Sequence, residues 1–173
     1  MITLTIGKMG AGKSAKLIED FANETREKIV IAPSNKVKSR NGNFIFTDLT
    51  FSNLFDGDKY DYKTNVFVDE CQFLSVEQIK YLINTFMNIN FYGLDEYAFN
   101  RKIKSIEYLK SVTDIEKHLI TKCRICKEPI GFDFGINIPL YENGNKDKRY
   151  INLCDKCYNR LKEIFNDESE DKR

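Results

Sequence analysis

The stretch that decides the fold is 7-GKMGAGKS-14, set between an alternating apolar run and a helix-like pattern. Carried on to Lys16, it holds three glycines and three lysines in ten residues. Glycine weakens regular structure, so such a cluster marks backbone that must approach something closely. Gly7, Gly12, Lys13 and Ser14 satisfy G-x-x-x-x-G-K-[ST], the phosphate-binding loop. In a loop of this kind Gly7, Lys8, Met9, Gly10, Ala11 and Gly12 present successive backbone N–H groups to phosphate oxygens. The helix behind it adds its positive end. Lys13 would reach the β- and γ-phosphates, and Ser14 would ligate Mg²⁺. The flanks agree: Ile2, Leu4 and Ile6 alternate with Thr3 and Thr5 as in a strand. Leu17, Ile18, Phe21 and Ala22 fall at helical spacing between Ser14 and Lys28. The competing reading is a glycine-rich turn with no ligand.

Outward from the loop, "IVIA" (29–32), "NVFVDE" (65–70) and "INFYGL" (89–94) read as strands. "SVEQIKYLINTFMN" (75–88) reads as a helix opened by Ser75 and Gln78 at capping-box spacing, and "KIKSIEYLKSV" (102–112) as another. Pro33 to Thr64 is polar and expected to be irregular, with room for one short strand or helix between Phe44 and Phe55. Strands alternating with helices predict an α/β fold with a parallel sheet. Composition shifts at residues 119–158, which carry four cysteines, two prolines and three glycines. The expected organisation is a nucleotide-binding core over 1–117 and a small module over 118–165 that ends in a helix from about Asp155 to Phe165. A charged tail over 166–173, expected to be disordered, closes the chain.

Three further signals carry chemistry. Asp69 ends an apolar strand, like a Walker B acid that helps hold Mg²⁺. Side chains alternate along a strand, so Glu70 shares the direction of Asp69 only if the strand stops there. It would then face a substrate hydroxyl and accept its proton; the residues alone equally allow an acid capping the next helix. Cys123-x-x-Cys126 and Cys154-x-x-Cys157, with 27 residues between the pairs, can close one tetrahedral Zn²⁺ site. Four sulfurs leave no open coordination position, so that zinc would be structural, and its binding would be coupled to folding. Redox pairs or free thiols are the alternatives. Cys71 is expected in the core. His118, the single histidine, is expected to be structural, and no Ser-His-Asp or Cys-His arrangement can be assembled around it.

Charge narrows the partners. The 27 basic and 26 acidic residues leave a net +1, without the basic excess of a protein that neutralises nucleic-acid phosphates. No run of 18 apolar residues predicts a membrane span, and "MITLTIGKMG" lacks the pattern of a signal peptide. A cytoplasmic setting is therefore expected, where disulfides are uncommon.

Together these pieces resemble the type II thymidine kinases, a tetrameric, zinc-containing family. The likeness is carried by "GKMGAGKS", by "VDECQFLS" (68–75), by "FYGLDEYAF" (91–99), and by the paired knuckles with Tyr150 and Tyr158 around the second. "VDECQFLS" is the most diagnostic, because D-E-x-Q-F is no part of general phosphate-loop chemistry. The resemblance implies a P-loop core with a zinc-ribbon lasso module. It implies transfer of the ATP γ-phosphoryl group to the 5′-hydroxyl of thymidine, and a homotetramer; deoxyuridine or another pyrimidine nucleoside is a further substrate that the altered lasso described below would allow. It makes Glu70 the catalytic base and places Phe73 against the thymine ring. Met9, Leu94 and Phe99 fall on or near the pocket wall, and Tyr150 on the aromatic of the lasso loop. Phe73 and Leu94 also have plain core readings.

Three departures stand against the family pattern. The D-x-R-Y stretch usual after the second strand is missing from "APSNKVKSRNG", and Arg40 is not assigned its role. "GLDEYAFNR" is one residue longer than the family loop, and the lasso's I-G-G is absent, Gly144 alone remaining. Two other classes compete: a P-loop ATPase whose zinc ribbon binds nucleic acid or protein, and a non-catalytic relative.

Overall fold

The computed structural model describes residues 1–96, 101–130, 136–142 and 145–170, with side chains described outside 136–150 and 164–170. Six strands make the main sheet: β1 (Ile2–Gly7), β2 (Lys28–Ala32), β5 (Leu49–Thr50), β6 (Asn65–Val68), β7 (Asn88–Leu94) and β8 (Ile115–Leu119). Their order is β5-β2-β6-β7-β1-β8, and every pairing is parallel.

Period-two alternation distributes the apolar side chains over the two faces of the sheet. Leu4, Ile6, Ile29, Ile31, Val66, Val68, Ile89 and Phe91 form one buried cluster with Ile79 and Leu82 of α2 (Val76–Thr85) and Ile106 and Leu109 of α3 (Lys104–Val112). Val30, Ala32, Phe67 and Tyr92 face the other way and pack on Leu17 of α1 (Lys13–Asn23). A parallel sheet covered on both faces is the α/β layering that the sequence predicts. The capping box at α2 is formed: the Gln78 N–H donates to Ser75 Oγ at 3.2 Å and the Ser75 N–H to Gln78 Oε1 at 2.9 Å.

The expectation of an irregular 33–64 is corrected. β3 (Lys36–Lys38) and β4 (Phe44–Phe46) pair as an antiparallel hairpin, and β5 joins the main sheet. The hairpin is held down by Val37 and Ile45, which pack into the cluster under α1. Its turn is closed by Ser39, whose N–H and Oγ both donate to the Asn43 carbonyl at 2.9 and 3.0 Å, and by Gly42 at φ 93°. One inward apolar residue per strand is too sparse a pattern to read from sequence. α1 also stops at Asn23, short of the expected Lys28.

β8 runs through Leu119, past the expected boundary at 117, and is a polar edge strand that gives little periodic signal. His118 lies on it with Nε2 2.9 Å from a Glu116 carboxylate oxygen. Beyond it come β9 (Thr121–Lys122) paired with β10 (Pro129–Ile130), β11 (Ile136–Glu142) paired with β12 (Asn145–Leu153), and α4 (Asp155–Glu170), which continues past Phe165. No helix of the described residues is long and apolar enough to cross a membrane.

Candidate active site

The carboxyl end of β1 opens into the glycine loop. Gly10 and Gly12 stand at φ 81° and 87°, a region that side chains with a Cβ rarely adopt, and Gly12 is the N-cap of α1. Gly12 has no side chain to cover the leading N–H groups of the helix, which suits an anion there. Lys13 is buried, and its Nζ donates to the carbonyls of Gly7 at 3.1 Å and Lys8 at 3.0 Å. Burial lowers its pKa, against the opposing pull of Glu70, Asp95 and Asp69. The Lys8 side chain turns elsewhere: it is buried between Asp95 at 3.4 Å and Glu96 at 3.5 Å, so it ties the loop to the segment after β7.

β6 ends at Val68, and the two acids follow at its mouth. Asp69 is buried, and its Oδ2 accepts from Ser14 Oγ at 3.0 Å. Desolvation, then the Glu70 charge, push its pKa up to about 6, with the Ser14 hydrogen bond opposing. Glu70 has φ 54°, a left-handed conformation rare for a residue with a Cβ. That turn sends the chain into a short 3₁₀ segment, Cys71–Phe73, and re-aims the Glu70 side chain. Asp69 thereby meets Ser14 while Glu70 lines the open cavity, although strand alternation alone would set them on opposite faces. Glu70 does not cap α2; Ser75 does.

Gln72, to which no motif in the sequence assigns a role, fixes this corner. It is buried, its Nε2 donates to Glu70 Oε2, and its Oε1 accepts from the Leu94 N–H at 3.0 Å. Ser105 Oγ donates to its carbonyl at 2.9 Å.

A cavity of about 370 Å³ brings these parts together. Met9, Gly10, Gly12, Lys13, Ser14 and Ala15 line one side, the hairpin residues Lys38 to Asn41 another, and Glu70 the remainder. Arg40 lies over the glycine loop so closely that a Cβ on Gly10 would sit 2.9 Å from its Nη1. Its position follows from the hairpin, which the sequence pattern hides. Phe73 is 59% exposed, which removes its core reading. Leu94 is 6% exposed and belongs to the main core, against which Met9 packs half-buried. Phe99 lies outside the described residues, and so does the Tyr150 side chain, whose backbone pairs with Pro139 on β11.

The second centre is the cysteine cluster. The four sulfurs of Cys123, Cys126, Cys154 and Cys157 all lie within 4.8 Å of one another. Cys126 and Cys154 sulfurs are 3.8 Å apart, which is the edge of a tetrahedron with metal–sulfur bonds of about 2.3 Å. The Cys154 N–H donates to Cys123 Sγ at 3.4 Å, a second-layer bond that suits a thiolate. Lys127, at φ 65°, completes the turn of the first knuckle. The donor set and spacing fit one Zn²⁺ ion. Cys71 is fully buried in the main core, as expected.

A sequence model of the family described as "Thymidine kinase" matches residues 1–158. The thymidine kinase of Bacillus subtilis subsp. natto is 28% identical over an alignment of length 140, and the match covers 69% of this chain and 67% of that protein. The match spans the glycine loop, the acid pair, Gln72 and all four cysteines, and the chain belongs to the thymidine kinase family, a family of phosphotransferases.

Proposed function

We propose that the chain is an ATP-dependent thymidine kinase that moves the γ-phosphoryl group of ATP to the 5′-hydroxyl of thymidine, with deoxyuridine a further substrate. The observation that carries the proposal is the left-handed turn at Glu70, which places a carboxylate in the same cavity as Lys13 and Ser14. The residues from Gly7 to Ser14 would hold the triphosphate, and Lys13, with two of its three donors on the Gly7 and Lys8 carbonyls, would turn the third to phosphate oxygens. Arg40 would supply a second cation beside Gly10 in a chain that lacks the family's D-x-R-Y stretch.

Asp69 and Ser14 are the pair suited to hold Mg²⁺, since their oxygens already converge at 3.0 Å. Bound there, Mg²⁺ would neutralise charge on the phosphates. Glu70 would orient the sugar hydroxyl and take its proton as the oxygen attacks, a contribution of roughly 10²–10⁴ in rate. Gln72 holds that carboxylate in place. Phe73, exposed on the 3₁₀ segment, is free to stack on the base, and the family resemblance assigns Met9, Leu94, Phe99 and Tyr150 to the same pocket.

Zn²⁺ at the four cysteines would fix a module whose buried apolar members, among the described residues, are Cys123, Ile130 and Leu153. The reading includes a cytoplasmic setting, which keeps the thiols reduced, and a homotetramer. A panel of nucleosides with ATP and Mg²⁺, with products identified by mass, tests it. Thymidine monophosphate is the expected product. ATP hydrolysis without any nucleoside product would favour an ATPase instead, and thymidine binding without turnover a non-catalytic relative.

A further inference from the structure

A phosphate loop can aim its N–H groups at an anion only if its carbonyls turn away and find other partners. Two of the three leading carbonyls are satisfied from within the loop and its helix. Gly7 and Lys8 both accept from Lys13 Nζ, and Lys8 also accepts from the Ala11 N–H at 3.1 Å. The Met9 carbonyl is satisfied from outside: Asn152 Nδ2 donates to it at 2.6 Å. Asn152 stands on β12, two residues before the metal-site cysteine Cys154, and its own carbonyl accepts from the N–H of Arg124, next to Cys123, at 2.8 Å.

The neighbouring backbone strengthens the link. β8 leaves the main sheet beside the loop, where a Cβ on Gly7 would meet the Leu119 carbonyl at 2.8 Å. Two residues later Thr121 Oγ1 is 3.4 Å from Asn152 Nδ2. The cysteine module is therefore seated on the outer edge of the phosphate loop, and the Asn152 amide is a side-chain contact that joins them.

We infer that Asn152 is a positioning residue that couples the four-cysteine metal site to the phosphate loop, so that metal and ATP strengthen each other's binding. The inference rests on the loop's being the ATP cradle. The metal fixes Cys154 against Cys123, which fixes β12, which holds the Met9 carbonyl outward. Reciprocity follows from linkage: whatever factor the metal gives to ATP affinity, ATP gives back to the metal.

The test measures ATP affinity by calorimetry on the full chain, zinc-loaded and zinc-stripped, for wild type, Asn152→Asp and Asn152→Ala. Asp keeps the shape of Asn but cannot donate to a carbonyl. Cobalt(II) substitution reports through its thiolate absorption that each variant still assembles the four-sulfur site. In the wild type, stripping zinc weakens ATP by about tenfold, the scale of one buried hydrogen bond left unmade. In both variants ATP binds about tenfold more weakly even with zinc, and stripping zinc adds little. Competition with a chromophoric chelator then shows ATP tightening zinc by the same factor in the wild type and not in the variants. Equal ATP affinity of wild type with and without zinc overturns the inference. So does a full zinc dependence retained by Asn152→Asp, which would mean that metal loss acts by general loosening. No ATP binding by zinc-loaded wild type overturns the cradle reading itself, and the coupling with it.

Discussion

Gly93 sits on β7 directly behind the corner that carries Glu70 and Gln72, and Gly93→Ala tests how that corner is held. A Cβ at this position would lie 2.5 Å from Cys71 Sγ and 2.9 Å from Gln72 Oε1. The first distance is roughly 1 Å inside ordinary contact. Cys71 is fully buried and Gln72 nearly so, and neither has space to retreat. Overpacking of this size costs about 1–3 kcal/mol. The displaced group matters more than the energy: Gln72 bonds both Glu70 and the Leu94 N–H, so moving it re-aims the carboxylate. A shift of about 1 Å at a reacting group costs up to ~100-fold in kcat. Removing the sulfur should relieve the clash. Cys71→Ala alone costs about 1 kcal/mol for one buried heavy atom and its void. The double variant should then be more stable than the sum of the singles by about 1–2 kcal/mol, and should recover part of kcat. Urea unfolding followed by circular dichroism gives the stabilities, and initial rates of thymidine phosphorylation give kcat. Strict additivity, or wild-type stability and turnover in Gly93→Ala, would refute the reasoning.

Asp69 has a pKa raised from 3.8 to about 6, so the folded state holds its proton longer than the unfolded state. Its charge therefore costs stability above pH 6, by at most about 3 kcal/mol. Without Mg²⁺, Asp69→Asn should be the more stable protein at pH 8, and the advantage should fade as pH falls through 6 towards 4; urea unfolding across that range checks this, and no pH-dependent difference would contradict it. Ser75→Ala removes the cap of α2 and should cost about 1 kcal/mol, with kcat per folded molecule unchanged. Arg40→Ala should lower kcat/KM for ATP by roughly tenfold or more, the loss of a charged hydrogen bond; an unchanged value with ATP varied would remove Arg40 from the phosphate side.

Much of this site is legible in the sequence alone. The glycine loop announces itself because its chemistry needs fixed residue types at fixed spacing, and the cysteine pairs do so for the same reason. The alternation in β1 and the apolar runs of β2, β6 and β7, interleaved with helical patterns, read as a parallel sheet, and the Ser75–Gln78 spacing as a helix start. The hidden parts share a physical cause. Arg40 reaches the cavity on a hairpin held by Val37 and Ile45, a pattern too short for periodicity. β8 is a polar edge strand, so its register comes from β1 and not from its own residues. The role of Glu70 depended on a backbone angle, φ 54°, that composition does not encode. Gln72 and Asn152 act through side-chain bonds to groups distant in sequence, to Leu94 and Met9.

The central claim is that Glu70, turned into the phosphate cavity by its left-handed backbone, takes the proton of the substrate hydroxyl. Glu70→Gln keeps the size and removes the base. Its ATP affinity by calorimetry should stay within about twofold of wild type while kcat for thymidine falls by roughly 10²–10⁴. Wild-type turnover in that variant would contradict the account.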